Sequence, residues 1–368
     1  MANTVPARPG IENISPYVGG ESNLQGVQRI IKLASNEGPF GPSPKVAEAI
    51  ADAAQAAHRY PDGSTAALRE AIAKRFGLDA ARIVCGAGSD ELLSLLCYSY
   101  AGPGDEVLYS EHGFLMYPIA AYAAGATPVK APETDLKTDV DALLDAVTDN
   151  TRVVFIANPN NPTGTYLSRA EMERLRAGLP EDVLLVIDAA YAEFVNRNDY
   201  SAGVEFVDAG QNTVMTRTFS KLFALGGLRV GWGYFPSEIA DVLNRVRGPF
   251  NVSSVGQAAG VASLEDLDFQ DRARSHNLEW VAQTQGALHA MGIQTTDSVG
   301  NFVLARFDTP ATAEACDAHL RAQGIIVRRM GGYGLPDSLR VSIGAADEMQ
   351  AFLDAMKAFT GATAGATP

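Results

Sequence analysis

Cysteine is scarce in this sequence. Cys85, Cys97 and Cys316 are odd in number and show no C-x-x-C spacing, which argues against a disulfide framework or a cysteine metal site. They read as small buried hydrophobes of a reducing compartment. Histidine is thin as well, with five residues in no close cluster, so no metal site is expected. No basic run and no aromatic-plus-basic stripe is present, and 29 Lys and Arg face 43 Asp and Glu. The resulting net charge of −14 argues against nucleic acid and acidic membrane surfaces as partners. Long hydrophobic runs are missing too: nothing is apolar over the length of a membrane span, and residues 1–16 lack the apolar stretch of a signal peptide. A cytoplasmic location is therefore expected.

The 368 residues exceed one ordinary core and suggest two domains. Residues 1–44 are irregular, rich in Pro, Gly and Asn, with scattered apolar residues that favour an arm packed on another surface. From Ser43 the pattern becomes regular. Pro44 to Ala57 has helical spacing with proline in its first turn, and Ser64 is placed to cap a helix that runs to Phe76. Short apolar strands are predicted at Arg82–Cys85, Glu106–Ser110, Thr127–Lys130, Arg152–Ala157, Val183–Asp188, Thr213–Thr218 and Leu228–Phe235, with helical stretches between most of them. This alternation predicts an α/β unit over 45–250 with a mostly parallel central sheet covered on both faces. Its ligand belongs outside the carboxyl ends of the strands. A long helical region from Ser254 to Ala290 with an acidic interruption leads into a smaller α+β unit over 251–360, which the arm joins. The low-complexity tail 361–368 reads as disordered.

Most of the chemistry-bearing residues stand at predicted strand ends. Gly86-Ala87-Gly88-Ser89-Asp90 joins a strand to a helix, where backbone N–H groups and a hydroxyl suit a phosphate as well as a plain turn. The spacing is neither a P-loop nor G-x-G-x-x-G. Asn158-Pro159-Asn160-Asn161-Pro162-Thr163-Gly164 is a rigid turn that fixes a polar amide, with Asn161 the candidate. Asp188 ends a buried strand, either as a cap or as a site residue. An ionised aspartate there needs a cationic partner, and Tyr191 follows three residues on. In Thr218-Phe219-Ser220-Lys221-Leu222-Phe223-Ala224-Leu225-Gly226-Gly227-Leu228-Arg229, one lysine sits among apolar neighbours. A solvated loop lysine is the bland reading; a desolvated one is a nucleophilic amine.

Taken together these motifs, with Leu33-Ala34-Ser35-Asn36-Glu37, Tyr60-Pro61-Asp62-Gly63 and Leu339-Arg340-Val341-Ser342-Ile343-Gly344, resemble those of fold-type I pyridoxal-phosphate aminotransferases. Within them the chain is similar to the histidinol-phosphate aminotransferase group, and the resemblance spans Tyr17 to about Gly344. It implies that Lys221 carries the pyridoxal phosphate, that Asp188 pairs with the ring nitrogen, and that Asn161 and Tyr191 hydrogen-bond the ring oxygen. Phe114 matches the aromatic residue stacked on the ring. Gly88, Ser89, Asp90, Thr218, Ser220 and Arg229 match the cofactor-phosphate region, and Tyr60 matches the tyrosine that reaches the neighbouring subunit's phosphate in a homodimer. Arg340 and Arg328 match the substrate arginines, with Tyr17 beside them. The implied activity is amino transfer between L-histidinol phosphate and 2-oxoglutarate by a ping-pong mechanism. The same fold also serves aromatic or arogenate aminotransferases and a threonine-phosphate decarboxylase. Two departures stand out: Asp188-Ala189-Ala190-Tyr191 where many relatives read Asp-Glu-Ala-Tyr, and Gly38-Pro39 where Asn-Pro is frequent.

Overall fold

The computed structural model describes residues 5–364 except Val18, Val27, Gln28 and Gln211. In chain order the strands are β1 (Ile31–Leu33), β2 (Ile83–Gly86), β3 (Glu106–Ser110), β4 (Thr127–Ala131), β5 (Glu133–Thr134), β6 (Lys137–Thr138), β7 (Thr151–Ala157), β8 (Leu184–Asp188), β9 (Thr213–Thr218), β10 (Gly231–Tyr234), β11 (Gln294–Thr295), β12 (Phe302–Arg306), β13 (Ile325–Arg329) and β14 (Ser338–Ser342). Seven of them form one sheet in the order β2-β10-β9-β8-β7-β3-β4, and five form a second in the order β1-β13-β14-β12-β11. In the first, β4, β3, β7, β8 and β9 run parallel, and β10 is antiparallel to both β9 and β2.

The inner strands β3, β7 and β8 are buried on both faces, which explains their largely apolar sequence; β9 is equally buried but carries Thr and Arg, and the edge strand β4 is half-exposed. All five residues of β8 are buried, as are Val153 to Ile156 of β7. One hydrophobic cluster joins Val107, Val153, Val186 and Phe235 on one face, and another joins Leu108, Val154, Leu185 and Ile187 on the other. Alternation along each strand thus feeds two different cores. The consequence for function is positional. β2, β3, β7, β8 and β9 all deliver their carboxyl ends to one edge of the sheet, where the chain turns into loops.

Four local expectations change. The helix Ala66–Phe76 is capped at Thr65, which adopts a left-handed conformation, and Ser64 is not its cap. The carboxylate of Asp62 instead accepts from the N–H groups of Ser64 and Ala66. The strand expected over Leu228–Phe235 starts only at Gly231, because Gly226–Leu228 forms a 3-10 turn and Arg229 has φ 55°. Within 1–44, Ile31–Leu33 forms β1 and pairs in parallel with Ile325–Val327 of β13. Three residues are too few for a readable period, and the partner strand lies almost a whole chain away. The acidic interruption near residue 266 is where two helices, Ser254–Glu265 and Leu267–Ala290, meet. The last helix, Ala346–Ala364, runs into the segment expected to be a disordered tail; residues 365–368 of that segment lie outside the described residues.

Candidate active site

Loops at the carboxyl edge of the large sheet meet loops of the small sheet around a cavity of about 270 Å3. β9 ends at Thr218, whose hydroxyl donates to Ser220 Oγ at 2.9 Å and accepts from the Ser220 N–H at 3.1 Å. This hydroxyl-turn sets Lys221 at the cavity wall. The Lys221 ammonium donates to the Ser35 carbonyl at 3.4 Å and lies 5.8 Å from the centre of the Tyr191 ring. Burial lowers its pKa to about 8, and the charge of Arg340 pushes in the same direction. A substantial fraction of this amine is therefore neutral under mildly alkaline conditions.

One end of the cavity is built for an anion. The helix Ser89–Tyr100 begins there, with its first N–H groups unsatisfied within the helix. Gly88 has φ +83°, and a Cβ at that position would sit 2.4 Å from Arg229 Nη2. Gly231 is equally constrained, since a Cβ would lie 2.2 Å from the Ser89 nitrogen. The two glycines thus let the β10 backbone and the arginine close on the helix start. Arg229 donates to the Gly226 carbonyl at 2.9 Å and to Asp90 Oδ2 at 3.1 Å. Asp90 holds the guanidinium in place as well as lining the cavity.

Asp188 lines the same cavity. Tyr117, on the helix Met116–Ala124, donates its hydroxyl to Asp188 Oδ2 at 3.0 Å. Oδ1 is buried and has no hydrogen-bond partner among the described residues. Burial raises the pKa of this carboxyl to about 6, so it is mostly ionised at neutral pH and short of a cation or an N–H donor.

The small sheet and the arm supply the remaining wall. Arg340, 6% exposed, donates to Asn161 Oδ1 and, at 2.9 Å, to the Ala34 carbonyl. It forms no ion pair among the described residues, and its buried Nε lacks a partner there. A buried guanidinium in that condition suits an incoming anion. Arg328, Tyr17 and Tyr333 border the same space. Asn36, at φ 53°, is a junction: its Nδ2 donates to the Tyr191 hydroxyl at 2.9 Å, and its Oδ1 accepts from Ser342 Oγ at 2.9 Å. The Asn36 carbonyl also accepts from Asn301 Nδ2 at 3.0 Å, so arm, small sheet and Tyr191 form one buried polar network.

Of the residues singled out in the sequence, Tyr17, Ser89, Asp90, Phe114, Asn161 and Asp188 line this cavity, as do Tyr191, Thr218, Ser220, Lys221, Arg229, Arg328 and Arg340. Gly88 lies behind Ser89 and acts through the room it leaves for Arg229. Tyr60 is not brought to the cavity; it is 84% exposed and stacks on Phe250 with ring centres 4.7 Å apart. Sequence reasoning assigned nothing to Asn36, Tyr117 or Tyr333. Asn36 lies in the Leu33–Glu37 motif and Tyr117 three residues after Phe114, but only contacts distant in sequence reveal their partners.

The donor set fits pyridoxal phosphate. The unpartnered Asp188 Oδ1 matches a protonated ring nitrogen, the desolvated Lys221 amine matches an aldehyde, and the helix start with Ser89, Ser220 and Arg229 matches a phosphate.

Comparisons with known proteins bear on the family and the fold. The family model described as "Aminotransferase class I and II" matches residues 28–356. The chain is 60% identical over 362 residues to the histidinol-phosphate aminotransferase of Paramagnetospirillum magneticum, covering 98% of this chain and 100% of that one. It is also 60% identical over 354 residues to that of Rhodospirillum rubrum, with 96% of each chain covered. Among solved structures, the Sinorhizobium meliloti histidinol-phosphate aminotransferase in complex with pyridoxal-5'-phosphate superposes with a TM-score of 0.91 at 28% identity. That match covers 98% of this chain and 99% of the other.

Proposed function

Since the chain belongs to the class I and II aminotransferase family, we propose that it is a histidinol-phosphate aminotransferase using pyridoxal phosphate. It exchanges an amino group between L-histidinol phosphate and 2-oxoglutarate, giving imidazole acetol phosphate and glutamate in histidine biosynthesis. The observation that carries this reading is a single cavity holding a desolvated amine, an anion cradle and two guanidinium groups.

When bound, pyridoxal phosphate supplies an aldehyde for the substrate amine and a conjugated ring that stabilises the carbanion at the substrate carbon. The chain does the rest. Lys221 Nζ would take the proton from the substrate carbon and return it to the cofactor side of that bond. Asp188, whose Oδ1 lacks a partner among the described residues, would accept the hydrogen bond of the ring N–H, and its charge would keep that nitrogen protonated. The Tyr191 hydroxyl, which already accepts from Asn36, and the amide NH2 of Asn161 donate to the ring oxygen. Phe114 would cover the ring face, and Ser89, Thr218, Ser220 and Arg229, which line the same cavity, would hold the phosphate. Arg340, Arg328 and Tyr17 take the phosphate of histidinol phosphate in one half-reaction and the carboxylates of glutamate in the other. Arg340 also touches Asn161, which links substrate binding to the cofactor's ring oxygen.

Single-turnover absorbance changes of the loaded enzyme with L-histidinol phosphate, phenylalanine and tyrosine test the reading. The expected result is the fastest half-reaction with histidinol phosphate. A rate no better than those with the aromatic amino acids would reassign the enzyme to the aromatic branch.

We further propose a homodimer in which Tyr60 reaches the neighbouring subunit's phosphate site. The support is the exposed stack of Tyr60 on Phe250, apolar surface that a second copy would cover. Light scattering of the eluted protein should give twice the mass of 38.9 kDa, and a monomer would end the idea. Among the described residues no helix is long and apolar enough to cross a membrane. A cytoplasmic location and a division into an arm (1–44), a large unit (45–250) and a small unit (251–360) belong to the same proposal.

A further inference from the structure

We propose that Tyr117 is a positioning residue: its hydroxyl, donating to Asp188 Oδ2, determines which carboxylate oxygen faces the cofactor ring nitrogen. This rests on the reading of Asp188 given above. The Tyr117 ring is 1% exposed and held on three sides. It lies flat on Phe155, with centres 4.6 Å apart and planes 3° apart, and meets Phe114 and Tyr109 edge-on, each at 5.9 Å. So confined, the ring cannot swing its O–H to another acceptor, and a buried hydroxyl must be paired. The bond to Oδ2 at 3.0 Å satisfies it.

A carboxylate at a strand end has two equivalent oxygens exchanged by a soft rotation. One donor fixed by packing breaks that equivalence and leaves Oδ1 as the oxygen without a partner among the described residues. The same bond favours the ionised carboxylate against the burial that drives its pKa upward. Removing the donor leaves burial unopposed by this contact, and a neutral acid cannot hold a ring nitrogen protonated. Because the Tyr117 ring also abuts Phe114, one side chain sets both the partner of the ring nitrogen and the aromatic beside the ring.

Tyr117→Phe keeps all three ring contacts and deletes the hydroxyl. Tyr109→Phe is the control, since Tyr109 is equally buried and its hydroxyl has no side-chain hydrogen bond among the described residues. Asp188→Ala tests the underlying reading. Titrating the full-length apoenzyme with pyridoxal phosphate should show roughly tenfold weaker binding for Tyr117→Phe. The ring-nitrogen chemical shift of isotope-labelled cofactor should move toward that of unprotonated pyridine. Tyr109→Phe should match the parent in both measurements. If Tyr117→Phe matches the parent in both while Asp188→Ala binds weakly, the role given to Tyr117 is wrong and that of Asp188 stands. If Asp188→Ala also matches the parent, the reading of Asp188 fails, and Tyr117 fails with it.

Discussion

Lys221→Ala should lower turnover by roughly four orders of magnitude or more, because in the proposed mechanism the side chain is both the nucleophile that takes up the cofactor and the base that moves the proton. The loss should appear in kcat, with substrate binding through Arg340 and Arg328 retained. Folding should survive. Lys221 makes one long hydrogen bond, 3.4 Å to the Ser35 carbonyl, and its removal relieves a desolvated charge. In the parent enzyme the apoprotein should load cofactor faster as pH rises through about 8, since burial holds the amine's pKa there and only the neutral form attacks. A variant that turns over at the parent rate would remove the lysine from the chemistry altogether.

Arg340→Ala should reduce kcat/KM in both half-reactions by roughly two to three orders of magnitude. The guanidinium is buried, forms no ion pair among the described residues and anchors to neutral acceptors, the Ala34 carbonyl and Asn161 Oδ1. A substrate anion would then be the group that balances its charge. Without substrate, the variant should melt no lower than the parent, because a buried and incompletely paired cation contributes little stability. Arg340→Lys should fall nearly as far, since an ammonium lacks the planar fork that grips two oxygens at once. An unchanged kcat/KM would place the substrate anion elsewhere. A large drop in melting temperature with normal kinetics would make Arg340 a structural strut.

The large sheet was legible because its inner strands β3, β7 and β8 are buried on both faces and so write themselves as apolar runs, each closed by a turn. Glu106–Ser110 and Thr213–Thr218 appear in the structure with the limits read from sequence. The residues at those strand ends were legible for the same reason, as polar groups where an apolar run stops. Less was visible where structure depends on distant pairing. β1 is three residues long and its partner lies near residue 325, while the β5–β6 hairpin turns through Asp135 and Leu136 at positive φ without a glycine to mark it. Tyr117 and Asn36 were hidden in another way. A tyrosine at the start of an apolar helix and an asparagine in a loop are ordinary in sequence, and only the fold brings their polar ends to Asp188 and Tyr191.

The pairing of Ile31–Leu33 with Ile325–Val327 fixes an order of events during synthesis. A ribosome releases the Thr218–Arg229 segment, and with it the lysine and the anion cradle, about a hundred residues before β13 and β14 emerge. The arm must wait for a partner strand not yet translated, and so must the Asn36 network that includes Ser342. The parallel strands of the large sheet can be assembled on the nascent chain before the arginine wall of the pocket exists. Cofactor capture would then precede substrate recognition in the life of each molecule, with the two ends of the chain meeting last.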